Sequence, residues 1–409
     1  MSLQGPGLWR TTAITLLCFV VQALSSFIAL SVPVLTPSLA AAHGVSASLI
    51  GYYPFFMYVS ALAATFAAAR FLHGVGPMKV ALASVAVSAL GLPLMLGGAT
   101  SLLIVGALVI GAGYGPVVPT TSQVLSAGAD ARYANLIFSL KQTGAPLGGL
   151  LAGFLIPPMI IGLSLSTAVV TLVGVSLVVC FLLAFVAPFA DRGVPQSKTR
   201  PRFFEPILAV LRVPTLRRMV AASFTYSGMQ LCLGAFLPVY LVEREGLSLS
   251  AAGWVFGVSQ IGTMVGRLLY GWIADRMLSP LVVVVALGFA MALSSVGVAL
   301  FTPSLPLGLM ALVACLYGAT AMGWNGVLYA EVARRAPTGQ SGLMTSGAVS
   351  INFIGVLVGP LLFSATKALT GSYEAGFAVM AAFVAIGAAT AWIGGGERDG
   401  TAISFPVKT

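Results

Sequence analysis

Charged side chains are scarce: Lys, Arg, Asp and Glu together make up 7% of 409 residues, where a soluble domain carries roughly 25%. A water-facing surface cannot be assembled from so few charges, so lipid is the solvent for most of the chain. Cysteine and histidine are equally sparse. Cys18, Cys180, Cys232 and Cys315 stand apart in apolar runs without metal-ligand spacing and read as buried small apolar residues. His43 and His73 both fall in interhelical loops, with no acid–base partner inside the apolar runs. No P-loop, zinc-binding H-E-x-x-H or nucleophile elbow is present. These absences argue against an enzyme, and no catalytic residue, cofactor or metal is expected.

Apolar residues fill the space the charges leave, at 58% of the chain. In lipid every backbone polar group must be satisfied internally, which leaves helices or a closed barrel. The apolar runs far exceed the roughly 10 residues of a barrel strand and do not alternate with polar residues. The expected class is therefore an all-α membrane protein. A span needs about 20 apolar residues, and the charge-free gaps set the count. Residues 11–69, 80–129 and 142–190 each hold two spans, with breaks near His43, Ala99-Thr100 and Gly162-Leu163-Ser164. Residues 219–242 and 247–275 hold one each, 277–330 hold two, and 336–366 and 374–392 complete twelve.

The net charge of +10 is no nucleic-acid footprint, because the cations occupy alternate loops, the orientation signal of a membrane protein. Arg10, Arg70, Lys79, Arg132, the group from Arg192 to Arg218, Arg276, Arg334, Arg335 and Arg398 share one side; Arg244 and Lys367 take the other. This pattern puts both termini in the cytoplasm of a multi-pass protein, expected in a bacterial inner membrane as a monomer. The first apolar segment lacks a small-residue cleavage site and is too long for a signal peptide, so it reads as a retained helix.

The longest polar stretch, from Asp191 to Arg218, divides the helices six and six. Residues 1–190 read as one bundle, 191–218 as a solvated cytoplasmic linker, 219–394 as the second bundle and 395–409 as a tail. The halves repeat: Ser46, Ser48, Gly51 and Tyr52 match Ser248, Ser250, Gly253 and Trp254 at one constant offset. A repeated six-helix unit with its site at the interface is a common construction of secondary transporters.

The loop Gly271-Trp272-Ile273-Ala274-Asp275-Arg276 resembles the G-x-x-x-D-R signature of the major facilitator superfamily. With the repeat and the linker, this resemblance covers essentially the whole chain and implies two six-helix bundles rocking about a central site. Gly271 permits close helix packing, and Asp275 beside Arg276 can hold a neighbouring helix end through charge and dipole. In the first-half copy His73 and Gly74 replace the acid and the base, although Gly76-Pro77-Met78-Lys79 keeps a basic end.

Two cations lie inside spans, where a charge costs at least about 3 kcal/mol. Lys141 follows Arg132 by nine residues, roughly 13 Å along helix 5, and Arg267 precedes Asp275 by eight, roughly 12 Å along helix 8. No carboxylate lies mid-helix: Asp130, Asp191, Glu205, Asp275, Glu331, Glu397 and Asp399 sit at one face, and Glu243, Glu245 and Glu374 at the other. Unbalanced cations favour a small anion. The alternatives are snorkelling or helix packing for Lys141 and a structural role for Arg267.

The spacing of Arg267, Gly271 and Asp275 is similar to helix 8 of monocarboxylate and oxalate/formate carriers, and the resemblance implies that Arg267 binds a substrate carboxylate. Thr263 stands where the monocarboxylate pattern has an acid. A weak acid bringing its own proton, or anion exchange, would serve instead. The resembled fold lines its cavity with helices 1, 4, 7 and 10, so Gln22 with Ser26, Tyr114, Tyr226, Gln230, Trp324, Asn325 and, on helix 11, Asn352 form a search area for the site. Each also reads as an ordinary interhelix hydrogen bonder or packing residue. The run Gly144-Ala145-Pro146-Leu147-Gly148-Gly149 is loosely similar to the G-x-x-x-G-P-x-x-G-G motif of facilitator drug antiporters, with its proline one residue out of place.

The leading expectation is a secondary active transporter of a small organic anion, a mono- or dicarboxylate, by proton symport or anion exchange. The alternative is a drug or metabolite efflux proton antiporter, which usually needs a membrane-embedded acid. A transporter-like sensor is a third reading, without a sizeable soluble domain to relay its signal.

Overall fold

The computed structural model describes residues 8–44, 53–71, 75–128, 130–195, 202 and 204–393. Among the described residues every regular element is a helix. Twelve long segments run α1 (Leu8–His43), α2 (Tyr53–Phe71), α3 (Pro77–Gly91), α4 (Thr100–Tyr114, then Val117–Gly128), α5 (Ala134–Gln142, then Gly144–Gly162) and α6 (Leu165–Ala184). They continue with α7 (Pro214–Glu243), α8 (Leu249–Arg276), α9 (Pro280–Ala299), α10 (Leu307–Arg335), α11 (Ser341–Thr370) and α12 (Tyr373–Ile393). Ten are long and apolar enough to cross a membrane. Of the remaining two, α2 offers a shorter apolar stretch, Tyr53–Ala68, and α8 is diluted by Ser259, Gln260, Thr263 and Arg267.

Local chemistry sets the helix ends. Ser164, Ser248 and Ser279 each accept a backbone N–H of the first turn of α6, α8 and α9, from Thr167, Ala251 and Val282. Such caps satisfy amides that the helix itself leaves unpaired. Gly371 ends α11 at a φ of 71°, a left-handed value that glycine adopts without penalty. Gly115-Pro116 interrupts α4, and Thr143 interrupts α5 three residues before Pro146.

Packing repeats the same plan in both halves. In the first, α1 packs on α5, α2 on α4, and α3 on α6; in the second, α7 packs on α11, α8 on α10, and α9 on α12. Small residues make the close approaches: a Cβ on Gly111 would lie 2.0 Å from the Met57 carbonyl oxygen, and one on Gly318 would lie 2.0 Å from that of Ser259. Between the halves, α2 meets α11 and α5 meets α8, with α4 against α11 and α5 against α10 alongside. The outer surface is apolar, with Phe154, Ile161 and Leu369 each more than three-quarters exposed, as expected where lipid is the solvent.

Four expectations need correction or limits. The linker is not solvated throughout, because a short helix, Glu205–Leu211, buries Pro206 and Val210 and packs on α11. Gly347 makes this possible, since any Cβ there would strike the Pro206 carbonyl. Helix α7 begins at Pro214, inside the expected linker, because proline's fixed φ suits a first helical turn. Cys18, Cys180 and Cys232 are buried, but Cys315 is only partly so. The matched residues Ser46, Ser48, Gly51 and Tyr52, the loop residues His73 and Gly74, and the 395–409 tail lie outside the described residues.

Candidate functional site

The junction of α5 and α8 carries both mid-span cations. Lys141 is fully buried and Arg267 is 3% exposed, so neither faces lipid or the headgroups. Lys141 Nζ donates to Gln142 Oε1 at 3.0 Å. Arg267 Nε donates to the Met322 carbonyl of α10 at 3.1 Å, and Nη1 donates to the Gln142 carbonyl of α5. That second acceptor exists because of Pro146. A helix would pass the carbonyl of residue 142 to the N–H of residue 146, and proline has none. The freed oxygen is taken by a guanidinium from the opposite half.

Among the described residues neither cation has a carboxylate partner. The buried acids are committed elsewhere or lie at the ends of spans. Glu331, 2% exposed, binds Arg334 and Arg335 one turn along α10, and Glu245 follows α7 in the loop before α8. The cations of the opposite loops are paired, Arg244 with Glu374 at 2.8 Å and Lys367 with Glu243 at 3.8 Å. Both cations meet at Gln142, Lys141 through its side-chain oxygen and Arg267 through its backbone carbonyl.

Polar groups surround this pair. On α1, Cys18 lies near Lys141, and one turn further Gln22 Nε2 donates to Ser26 Oγ at 3.4 Å. Gly144 and Gly148 of α5 let that face of α1 come close, since Cβ atoms there would lie 3.1 Å from Gln22 Cβ and 2.9 Å from Ser26 Cβ. Tyr114 of α4 sits beside Ser26 and within electrostatic reach of Arg267. In the other half, Asn325 Nδ2 donates to Gln230 Oε1 at 3.0 Å. Asn352 Nδ2 donates to the Tyr329 hydroxyl at 3.0 Å and its Oδ1 accepts from Ser223 at 2.6 Å. Tyr329 also lies within reach of Arg267 and Tyr114.

Not every residue of the search area belongs to this cluster. The Tyr226 hydroxyl donates to the Val284 carbonyl of α9 at 3.1 Å, wedged where Gly288 leaves room. Trp324 Nε1 donates to the Ala321 carbonyl of its own helix at 2.9 Å, and its ring stands edge-on to Tyr226 at 5.9 Å. Both rings are packed inside the second bundle. The residues that sequence reasoning missed are Gln142, Met322, Tyr329, Tyr58 and Phe353. Tyr329 follows Asn325 by one helical turn, and this shared face was a usable signal. The others offered none.

One helical turn from Arg267 towards the linker side, Gly271 and Gly326 let α8 and α10 close on α5, since Cβ atoms there would lie 2.6 Å from Ser139 Oγ and 2.4 Å from Ser139 Cα. Another turn on, Asp275 accepts the Asn135 N–H at 3.0 Å, the Asn135 side-chain amide at 2.8 Å and the Leu136 N–H at 2.8 Å. It thereby seals the start of α5, where orphan amides and the helix dipole both favour an anion. Arg276 donates to the Tyr133 hydroxyl at 3.1 Å, its guanidinium 5.1 Å from that ring's centre. On the α11 side the same face is closed by a Ser126–Ser341 hydroxyl pair at 2.7 Å.

Known proteins resemble this arrangement along most of its length. Residues 15–360 match the profile of the Major Facilitator Superfamily. A gallate transporter of Pseudomonas putida is 27% identical over 384 residues, 86% of this chain and 85% of that protein. Monocarboxylate transporter 13 of Rattus norvegicus is 28% identical over 178 residues, 42% of this chain and 40% of its own. Among solved structures, the E. coli fucose:proton symporter has a TM-score of 0.70 at 18% identity, covering 94% of this chain and 98% of that one. A human organic anion transporter has a TM-score of 0.72 at 17% identity, covering 94% and 100%. The chain belongs to the Major Facilitator Superfamily and is a membrane transporter, not an enzyme.

Proposed function

We propose that the protein is a secondary active transporter of a small organic anion, a mono- or dicarboxylate, which it moves by alternating access. The observation that carries this reading is the pair Lys141 and Arg267, buried from opposite halves with no carboxylate partner among the described residues. Burying a charge without a counter-ion is costly, and an arriving carboxylate removes that cost through charge-assisted hydrogen bonds. The two sequence relatives are named for gallate and for monocarboxylates, both carboxylates, which supports the same charge class.

On this reading residues 1–190 and the second bundle, which starts with α7 at Pro214, rock as two bodies about the site, with the linker and both termini in the cytoplasm of a bacterial inner-membrane monomer. Gln22, Tyr114, Gln230 and Asn352 complete the cavity, and Tyr226 and Trp324 support its wall from behind. Gly271, Asp275 and Arg276 hold the linker side shut between transport steps. Thr263 donates to the Ser259 and Gly318 carbonyls at 3.1 Å each and offers no carboxylate for a proton. Coupling therefore rests on a proton carried by the weak acid itself or on exchange for a second anion.

The test is uptake of labelled carboxylates into proteoliposomes by the purified wild type and by a Lys141→Ala, Arg267→Ala double variant. The variant is expected to keep its helical circular dichroism spectrum and lose at least 100-fold in uptake. Full activity in that variant would remove the proposal.

A further inference from the structure

Three aromatic rings meet across the boundary between the halves, beside the cations. Tyr58 of α2 stands edge-on to Tyr114 of α4 at 6.2 Å, and Phe353 of α11 lies 5.5 Å from Tyr58 and 6.3 Å from Tyr114. Tyr58 and Tyr114 are only partly buried, while Phe353 is 8% exposed. Buried Tyr226 and Trp324 show what ring packing in a filled core looks like here. Partly uncovered tyrosine rings at this boundary leave aromatic surface that a ligand can meet.

A second observation comes from α1. Gln22 is 2% exposed, and its Oε1 has no hydrogen-bond donor among the described residues. A buried amide oxygen without a donor is costly and marks a place where a partner is missing. Its neighbours fix which partner fits. Ser26 connects Gln22 to Tyr114, and Cys18, one turn back, is near Lys141. Positive charge, aromatic faces and an unfilled acceptor are thus continuous along α1, α4 and α5.

Resting on the organic-anion reading, we propose that the site takes a hydroxylated aromatic carboxylate. Its carboxylate meets Lys141 and Arg267, its ring lies against Tyr58, Tyr114 and Phe353, and a ring hydroxyl donates to Gln22 Oε1. Aromatic faces favour a flat π-system over a saturated ring of similar size. A site that hydrogen-bonds a substrate hydroxyl discriminates strongly against the analogue lacking it. Because Phe353 belongs to the second half and the tyrosines to the first, a ring held among them would also draw the two halves together.

The experiment measures ligand-induced thermal stabilisation of the purified full chain, which reports binding to the folded state. The probes are 3,4-dihydroxybenzoate, benzoate, cyclohexanecarboxylate and lactate. Expected apparent affinities fall by about tenfold from dihydroxybenzoate to benzoate and by about fivefold from benzoate to cyclohexanecarboxylate. The Gln22→Leu variant should bring the first ratio to near one while benzoate still binds. Equal binding of cyclohexanecarboxylate or lactate in the wild type would overturn the ring assignment and leave the anion reading standing. Stabilisation by none of the four would count against the anion reading itself, and with it this inference. A hydroxyl preference unchanged in Gln22→Leu would remove Gln22 from the site.

Discussion

The two junctions that join the halves are related by the internal repeat, yet they use different chemistry. At α5–α8 the contact is electrostatic: Asp275 seals the start of α5, and Arg267 reaches the Gln142 carbonyl. Around α11 it is neutral, made of the Ser126–Ser341 hydroxyl pair and the rings of Tyr58, Tyr114 and Phe353. The repeated helices supply the same packing twice, and the substitutions within them assign charge to one seam and aromatic surface to the other. A ligand carrying a charge and a flat apolar body would need both.

This contrast can be broken from the electrostatic side first. Gly326→Val would press a branched side chain on the Ser139 backbone, so uptake should be lost and the fold weakened by about 1–3 kcal/mol, read from a thermal melt. An unchanged melting point and normal uptake would show that the seam does not close as described. Asp275→Asn keeps the shape but removes the charge facing the α5 amides. Uptake in proteoliposomes should fall about tenfold, equivalent to ~1.4 kcal/mol. Pro146→Ala lets residue 146 reclaim the Gln142 carbonyl and deprives Arg267 of an acceptor worth roughly 0.5–1.5 kcal/mol. Carboxylate affinity should then weaken severalfold, measured by thermal stabilisation. On the neutral seam, Ser126→Ala removes one partly buried hydroxyl pair and should alter uptake by no more than about threefold. A loss as large as that of Asp275→Asn would erase the distinction between the seams.

Much of the fold was legible because lipid tolerates so few charges. The charge-free gaps mark the spans, and serine, glycine and proline mark their ends. Even α2, whose apolar stretch is shorter, and α8, which polar residues dilute, can be read as spans. The depth of Lys141 and Arg267 was legible for the same reason, since a cation in the middle of a span is rare enough to notice. Orientation about the helix axis was not. Tyr226 and Gln230 share a face of α7, but the Tyr226 hydroxyl reaches α9 whereas Gln230 accepts from α10. Nothing in one helix tells which neighbour its face will meet. The bond between Arg267 and the Gln142 carbonyl was hidden as well, because the acceptor is backbone freed by a proline four residues away. Tyr58 gave no sign among the several aromatic residues of α2, and Phe353 gave none as one more apolar residue of an apolar run.

The central claim is that two cations from opposite halves, neither with a carboxylate partner among the described residues, form a single anion site. The most direct measurement is thermal stabilisation of the wild type by a series of carboxylates and their uncharged amides, repeated in a Lys141→Gln, Arg267→Gln variant. The account predicts that carboxylates stabilise the wild type, that their amides do not, and that the variant loses the difference. Equal stabilisation by acid and amide, or an acid preference that survives in the variant, would contradict it.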